Sequence, residues 1–316
     1  MSGSDIPGIV APVKKFPKNK LDGWINLHKP RGIGSTPALA AVKRAFKPEK
    51  AGHGGTLDPL ASGVLPIALG EATKTVAYAM DADKAYDFTI TWGENRTTQD
   101  AEGTVTEISP NRPSPDQIKA VLGKFVGDIQ QIPPVYSAIK VDGERAYDLA
   151  RAGEAVELKP REVVIYDLQL AGTTADTARF TVTCGKGMYV RALARDIAKT
   201  LDSCGFVSEL IRTRVGPFAL ESAISLDFFS TAGLEDAQAV LAPIQTVLHD
   251  IAALAVDEAE AARLRRGMGL GFISKHHAQR LPADVSGPMI ALLNGKAVAM
   301  VRFEAGEVKP ERVFNL

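Results

Sequence analysis

Strand and helix signals follow one another in this chain without a repeating strand–helix–strand unit, and that irregular order sets the fold class. It argues for an α+β architecture with a mixed, largely antiparallel sheet rather than a doubly wound parallel one. Residues 23–27 have strand composition and end in a turn at 28–32. A helix then opens at Ser35-Thr36-Pro37, with Ser35 or Thr36 as its cap and Leu39, Val42, Ala45 and Phe46 on its apolar face. Residues 70–80 read as a second helix. From Lys84 the period changes to two, with Tyr86, Phe88, Ile90 and Trp92 on one face and Asp87, Thr89 and Thr91 on the other, which marks a strand. After a polar connection at 95–100 come a strand signal at 103–106, a helix from Pro115 to about Leu122, and strands at 125–131 and 135–141. A short helix at 144–151 and strands at 163–170 and 180–184 lead to a helix at 189–201, where Val190, Leu193, Ala194, Ile197 and Leu201 fall at helical spacing.

The composition shifts between Ser230 and Asp250, and short β-like runs follow. Residues 289–293 and 297–301 flank Asn294-Gly295, a dipeptide that favours the hairpin turn matching strand twist. The expected organisation is a flexible basic lead-in over 1–20, a main domain over 21–248 and a small β-rich domain over 249–316.

Lys plus Arg and Asp plus Glu both number 37 in 316 residues, so the net charge gives no sign of a polyanionic partner. Its distribution does: Lys14, Lys15, Lys18, Lys20, Lys29, Arg31, Lys43, Arg44, Lys47 and Lys50 face only Asp5, Asp22 and Glu49. Such a run suits phosphates, or is simply a solvated face. No apolar run reaches the length of a membrane span and no signal pattern opens the chain, so a cytoplasmic protein is expected. Cys184 and Cys204 are expected to be reduced, structural thiols. His276-His277 are adjacent rather than spaced on one face, and His28, His53 and His249 lack partners at ligand spacing, which argues against a metal. Without a Gly-Lys-Ser/Thr phosphate loop, a dinucleotide fingerprint or a Gly-x-Ser-x-Gly elbow, nucleotide cofactors and serine-hydrolase chemistry lose support.

One stretch stands apart. Residues 51–66 set a single carboxylate, Asp58, among glycines at 52, 54, 55 and 63 and prolines at 59 and 66. The glycines permit close approach of another molecule to the backbone, and Pro59 fixes the chain after the acid. Asp58 is a lone nucleophile, or an Asx-turn residue bonded to its own backbone.

This loop, with Gly23-Trp24-Ile25-Asn26-Leu27-His28-Lys29-Pro30, Gly70-Glu71-Ala72-Thr73-Lys74 and Lys84-Ala85-Tyr86, resembles in order the motifs of the TruB family of bacterial tRNA pseudouridine synthases. Residues 131–140, 185–191 and 210–214 continue the resemblance, which spans roughly 21–220; the C-terminal segment resembles the family's PUA-like domain more weakly. Gly54 stands where a threonine is usual and His28 where an asparagine is usual.

The resemblance implies a pseudouridine-synthase fold and a cofactor-independent isomerase acting on uridine 55 in the tRNA T arm, working as a monomer without a protein partner. It makes Asp58 the catalytic aspartate, Tyr86 the tyrosine that stacks on the flipped base and Arg191 the arginine paired with the aspartate. Tyr189 and Leu210 then line the uracil pocket, His53 stands at the site of base extrusion, and Lys29 and Lys74 flank the site. The chemistry agrees: uracil is detached, rotated and rejoined through C5 with nothing imported, so one carboxylate suffices. Whether Asp58 attacks uracil C6 or ribose C1′, or assists glycal formation, is left open. A tRNA-folding chaperone with secondary or lost catalysis is the alternative function, and a guide-RNA-dependent subunit a further one.

Overall fold

The computed structural model describes residues 18–316 except 138, 142, 153, 155, 275, 276 and 278. The expected lead-in, with Lys14 and Lys15, lies largely outside the described residues, as does His276.

Among the described residues, a ten-stranded sheet runs in the order Ile224–Ser225, Gly23–Lys29, Ser62–Leu69, Gly205–Val215, Lys84–Trp92, Thr177–Cys184, Arg161–Thr173, Gly127–Gln131. Ala51–His53 and Phe218–Ala219 pair at its side. Its neighbours are antiparallel except at Leu27 with Ile224 and at Ile211 with Ser62. The sheet is therefore mixed and mostly antiparallel, as the irregular order of elements requires.

The alternation at 84–92 has its physical meaning here. Lys84, Tyr86, Phe88, Ile90 and Trp92 are the buried face of a central strand. Of these, Tyr86, Phe88, Ile90 and Trp92 pack with Ile118 and Leu122 of the helix Pro115–Leu122 and with Val190, Leu193, Ala194 and Ile197 of the helix Val190–Thr200. The helix Ser35–Phe46 contributes Ala38, Val42 and Phe46 to a separate core with Ile25, Leu27 and Leu65. Cys184 and Cys204 are free, buried thiols, and burial pushes Cys184 up to about 12.

Four local expectations are corrected. The cap of the first helix is Gly34, without a side-chain bond, because the Ser35 hydroxyl is taken by Leu57. Residues 70–80 divide into a 3-10 turn, Gly70–Thr75, and a short helix, Val76–Asp81. The polar connection near 95–100 includes a strand, Glu94–Arg96, paired with Val105–Ile108. Among the described residues of the run 135–141 only Lys140–Val141 is a strand; the Tyr136 carbonyl accepts from an arginine side chain instead of a sheet neighbour, as does that of Ile132 just before the run.

A second sheet orders Ala252–Ala255, Met289–Leu293, Lys296–Glu304, Glu307–Val313 and Leu270–Gly271. Asn294 and Gly295, at φ of 50° and 77°, form the tight turn that the dipeptide favours. This sheet packs against the first one in a further core: Ile290, Ala297, Met300 and Phe314 pack with Trp24, Val64 and Ala68. Phe314 is 1% exposed. Phe314→Ala is expected to cost roughly 3–5 kcal/mol. Both tryptophans, Trp24 and Trp92, lie in the first sheet, so their fluorescence midpoint in urea should fall. An unchanged midpoint would show that the second sheet unfolds independently.

Candidate active site

The backbone between Gly54 and Ala61 belongs to no helix or strand, so its polar groups need other partners. Side chains supply most of them. Arg212, 2% exposed, donates to the carbonyls of Gly55 at 3.1 Å, Thr56 at 3.2 Å and Val64 at 2.8 Å, gripping both ends of the loop. The Ser35 hydroxyl accepts from Leu57 N–H at 2.8 Å and donates to its carbonyl at 3.0 Å. The Asp58 carbonyl accepts from Ala61 N–H and the Pro59 carbonyl from Gly32 N–H. Lys29, fully buried, donates to Ala61 at 2.5 Å, Ile33 at 2.7 Å and Pro30 at 2.9 Å.

This scaffold holds the Asp58 carboxylate, 40% exposed, against Arg191 Nη2 at 2.8 Å. The Asx-turn alternative therefore gives way to an ion pair. Arg191 is itself 5% exposed and is spread over several acceptors. Its Nη1 donates to the Thr98 carbonyl at 3.0 Å, Nη2 also donates to the Tyr136 carbonyl at 2.9 Å, and Nε lies 3.6 Å from the buried Asp100 carboxylate. Asp100 is in turn bonded by the Thr98 hydroxyl and the Glu102 amide.

Asp58 opens on a cavity of about 290 Å³, large enough for a planar heterocycle, whose walls include Tyr86, Tyr189, Leu210 and Arg212. The Tyr86 ring is 8% exposed. Burial raises the pKa of its phenol, and the adjacent Arg212 guanidinium works in the opposite direction. Burial likewise raises the Tyr189 phenol. Lys84 also lines the cavity; burial lowers its ammonium to about 8, while Met80 and Ala82 carbonyls accept its protons.

Five of the residues singled out in the sequence thus converge: Asp58, Tyr86, Arg191, Tyr189 and Leu210. Three lie elsewhere. Lys29 is committed to the three carbonyls beneath the loop, and burial lowers it to about 8. Lys74 pairs with Glu71 at 2.6 Å and donates to Val313 at 2.7 Å, on the seam with the second sheet. His53 is half-buried in the strand Ala51–His53, and burial, followed by the Arg212 charge, lowers its imidazolium. Arg212, Lys84 and Asp100 were not singled out. Lys84 and Arg212 are two residues from Tyr86 and Leu210, so strand period offered a signal; Asp100 in its loop offered none.

Residues 43–190 match the family model described as TruB family pseudouridylate synthase, N-terminal domain. The tRNA pseudouridine synthase B of Caulobacter vibrioides is 48% identical over 302 residues, 94% of this chain and 97% of that protein. The tRNA pseudouridine synthase B of Rhodospirillum rubrum is 48% identical over 301 residues, with the same coverage of 94% and 97%. A chain in the crystal structure of a Cbf5–Nop10–Gar1 complex superposes with a TM-score of 0.70 at 26% identity, over 92% of this chain and 84% of that one.

Removing the Arg191 guanidinium strands Asp100 in the interior and leaves the carbonyls of Thr98 and Tyr136 without their donor. Arg191→Met is expected to lower stability by about 3–5 kcal/mol, read by chemical denaturation. A loss under about 1 kcal/mol, the scale of an exposed ion pair, would show that the contacts contribute little.

Proposed function

The chain belongs to the TruB family of pseudouridylate synthases, and we propose that it isomerises uridine 55 of the tRNA T loop after extruding the base into the cavity beside Asp58. At the coarser level it is an isomerase that pseudouridylates tRNA. The observation that carries the finer reading is one accessible carboxylate, fixed by a buried arginine at the rim of a base-sized, aromatic-walled cavity.

In this reaction the N1–C1′ bond breaks, the base turns, a C1′–C5 bond forms, and the C5 proton leaves while N1 gains one. No group is imported. Asp58 is the carboxylate that attacks or stabilises the detached fragment. Arg191 holds it aimed at the cavity through a charge-assisted hydrogen bond. The Tyr86 ring replaces the stacking that the uracil loses on leaving the loop, and Tyr189 and Leu210 enclose it. We assign removal of the C5 proton to the Tyr86 hydroxyl, whose pKa burial raises and Arg212 pulls back only in part.

RNA outside the cavity is held by its phosphates and shape. Exposed Arg31, Lys43, Arg44 and Lys50 lie on or beside the first helix, and the C-terminal sheet is a PUA-like RNA-gripping domain in our reading.

Incubating purified protein with unmodified tRNA, and separately with a T-arm stem-loop, should give pseudouridine at a single T-loop uridine. No product there, with intact protein and folded RNA, would defeat the reading. Asp58→Asn is expected to abolish isomerisation; RNA-folding activity persisting in that variant would mark a separate chaperone role. Tyr86→Phe is expected to slow product formation by about 10²-fold, the lower range for a lost general base. Near-normal product release would remove the proton-transfer role from Tyr86.

A further inference from the structure

The strand Gly127–Gln131 is the outermost of the main sheet, yet its last side chain, Gln131, is 1% exposed. A buried primary amide needs partners at both ends. Gln131 finds both in one residue: Oε1 accepts from Tyr189 N–H at 2.8 Å and Nε2 donates to the Tyr189 carbonyl at 3.3 Å. The opposite amide orientation would set donor against donor and acceptor against acceptor. The side chain therefore acts as a strand neighbour for Tyr189, where the chain turns into the helix Val190–Thr200.

Two contacts extend the clasp. Arg195 Nη2 donates to the Ile132 carbonyl at 2.9 Å, and Arg191 Nη2 donates to the Tyr136 carbonyl at 2.9 Å. The same Nη2 pairs with Asp58 at 2.8 Å. One N–H of that nitrogen is thus aimed by the segment after Gln131 while the other serves the nucleophile. The backbone that Gln131 grips is also cavity wall, with Gly187, Met188 and Tyr189 lining it.

We propose that Gln131 is a positioning residue for the isomerisation: its amide fixes the wall at Tyr189 and the helix start from which Arg191 reaches Asp58. This rests on the isomerase reading above. Gln131 acts through Tyr189 and Arg191, and a displacement of about 1 Å at a reacting centre costs on the order of 10²-fold in rate.

Gln131→Met keeps the reach of the side chain and removes both hydrogen bonds. With the full-length protein and unmodified tRNA, kcat should fall roughly 10- to 100-fold while KM stays within about threefold, because phosphate contacts set RNA binding. A kcat within about twofold of wild type, or a loss confined to KM, overturns the proposal. Gln131→Glu keeps the acceptor for the shorter bond and carries the same test if Gln131→Met does not fold. Its kcat should fall by at least about threefold, and an unchanged kcat overturns the proposal. Wild-type turnover in the same assay tests the isomerase reading separately; without it, that reading falls and takes this proposal with it.

Discussion

Two buried cations hold a segment that no helix or strand holds. Lys29 and Arg212 direct their protons at main-chain carbonyls rather than at carboxylates, and between them they fix the segment that carries Asp58. An unpaired interior charge is costly, and an unpaired interior carbonyl is costly too, so each group satisfies the other. The arrangement leaves little slack. Gly63, at φ of 108°, lies so close to the neighbouring strand that a Cβ would meet the Arg212 carbonyl oxygen at 2.2 Å. The loop is thereby organised before any RNA arrives, which removes the ordering cost that a flexible loop would incur on binding.

The electrostatics follow the same economy of partners. Arg191 faces two carboxylates of unequal access: Asp58, 40% exposed, and Asp100, 4% exposed. The inner acid helps hold the guanidinium inside the fold, and the outer one is left at the cavity rim. Because the guanidinium is planar with donors in a fixed fork, it serves both acids and two carbonyls at once; a lysine has the charge without that geometry.

Much of this was legible in the sequence. The alternation from Tyr86 to Trp92 disclosed the central strand, and the isolation of Asp58 among glycines and prolines marked the loop. Arg191 was recognisable only through family resemblance, because pairing between residues 58 and 191 has no local signature. Lys29 and Lys74 show the converse limit. Their motifs adjoin the site, but long side chains reach past it, one to carbonyls beneath the loop and the other to Val313. Among the described residues the expected strand at 135–141 shrinks to Lys140–Val141 for a related reason: apolar composition favours a strand only where a neighbour offers its backbone, and here an arginine side chain takes the Tyr136 carbonyl.

The strand Gly205–Val215 lies between Ser62–Leu69 and Lys84–Trp92, so the middle of the sheet is filled by a piece made more than a hundred residues later. During synthesis the early strands must wait, with their facing edges unpaired, until that piece has left the ribosome. No cavity can exist before then, because Leu210 and Arg212 are among its walls. A nascent chain therefore completes this cavity late, and a truncated product ending before residue 205 lacks two of its walls.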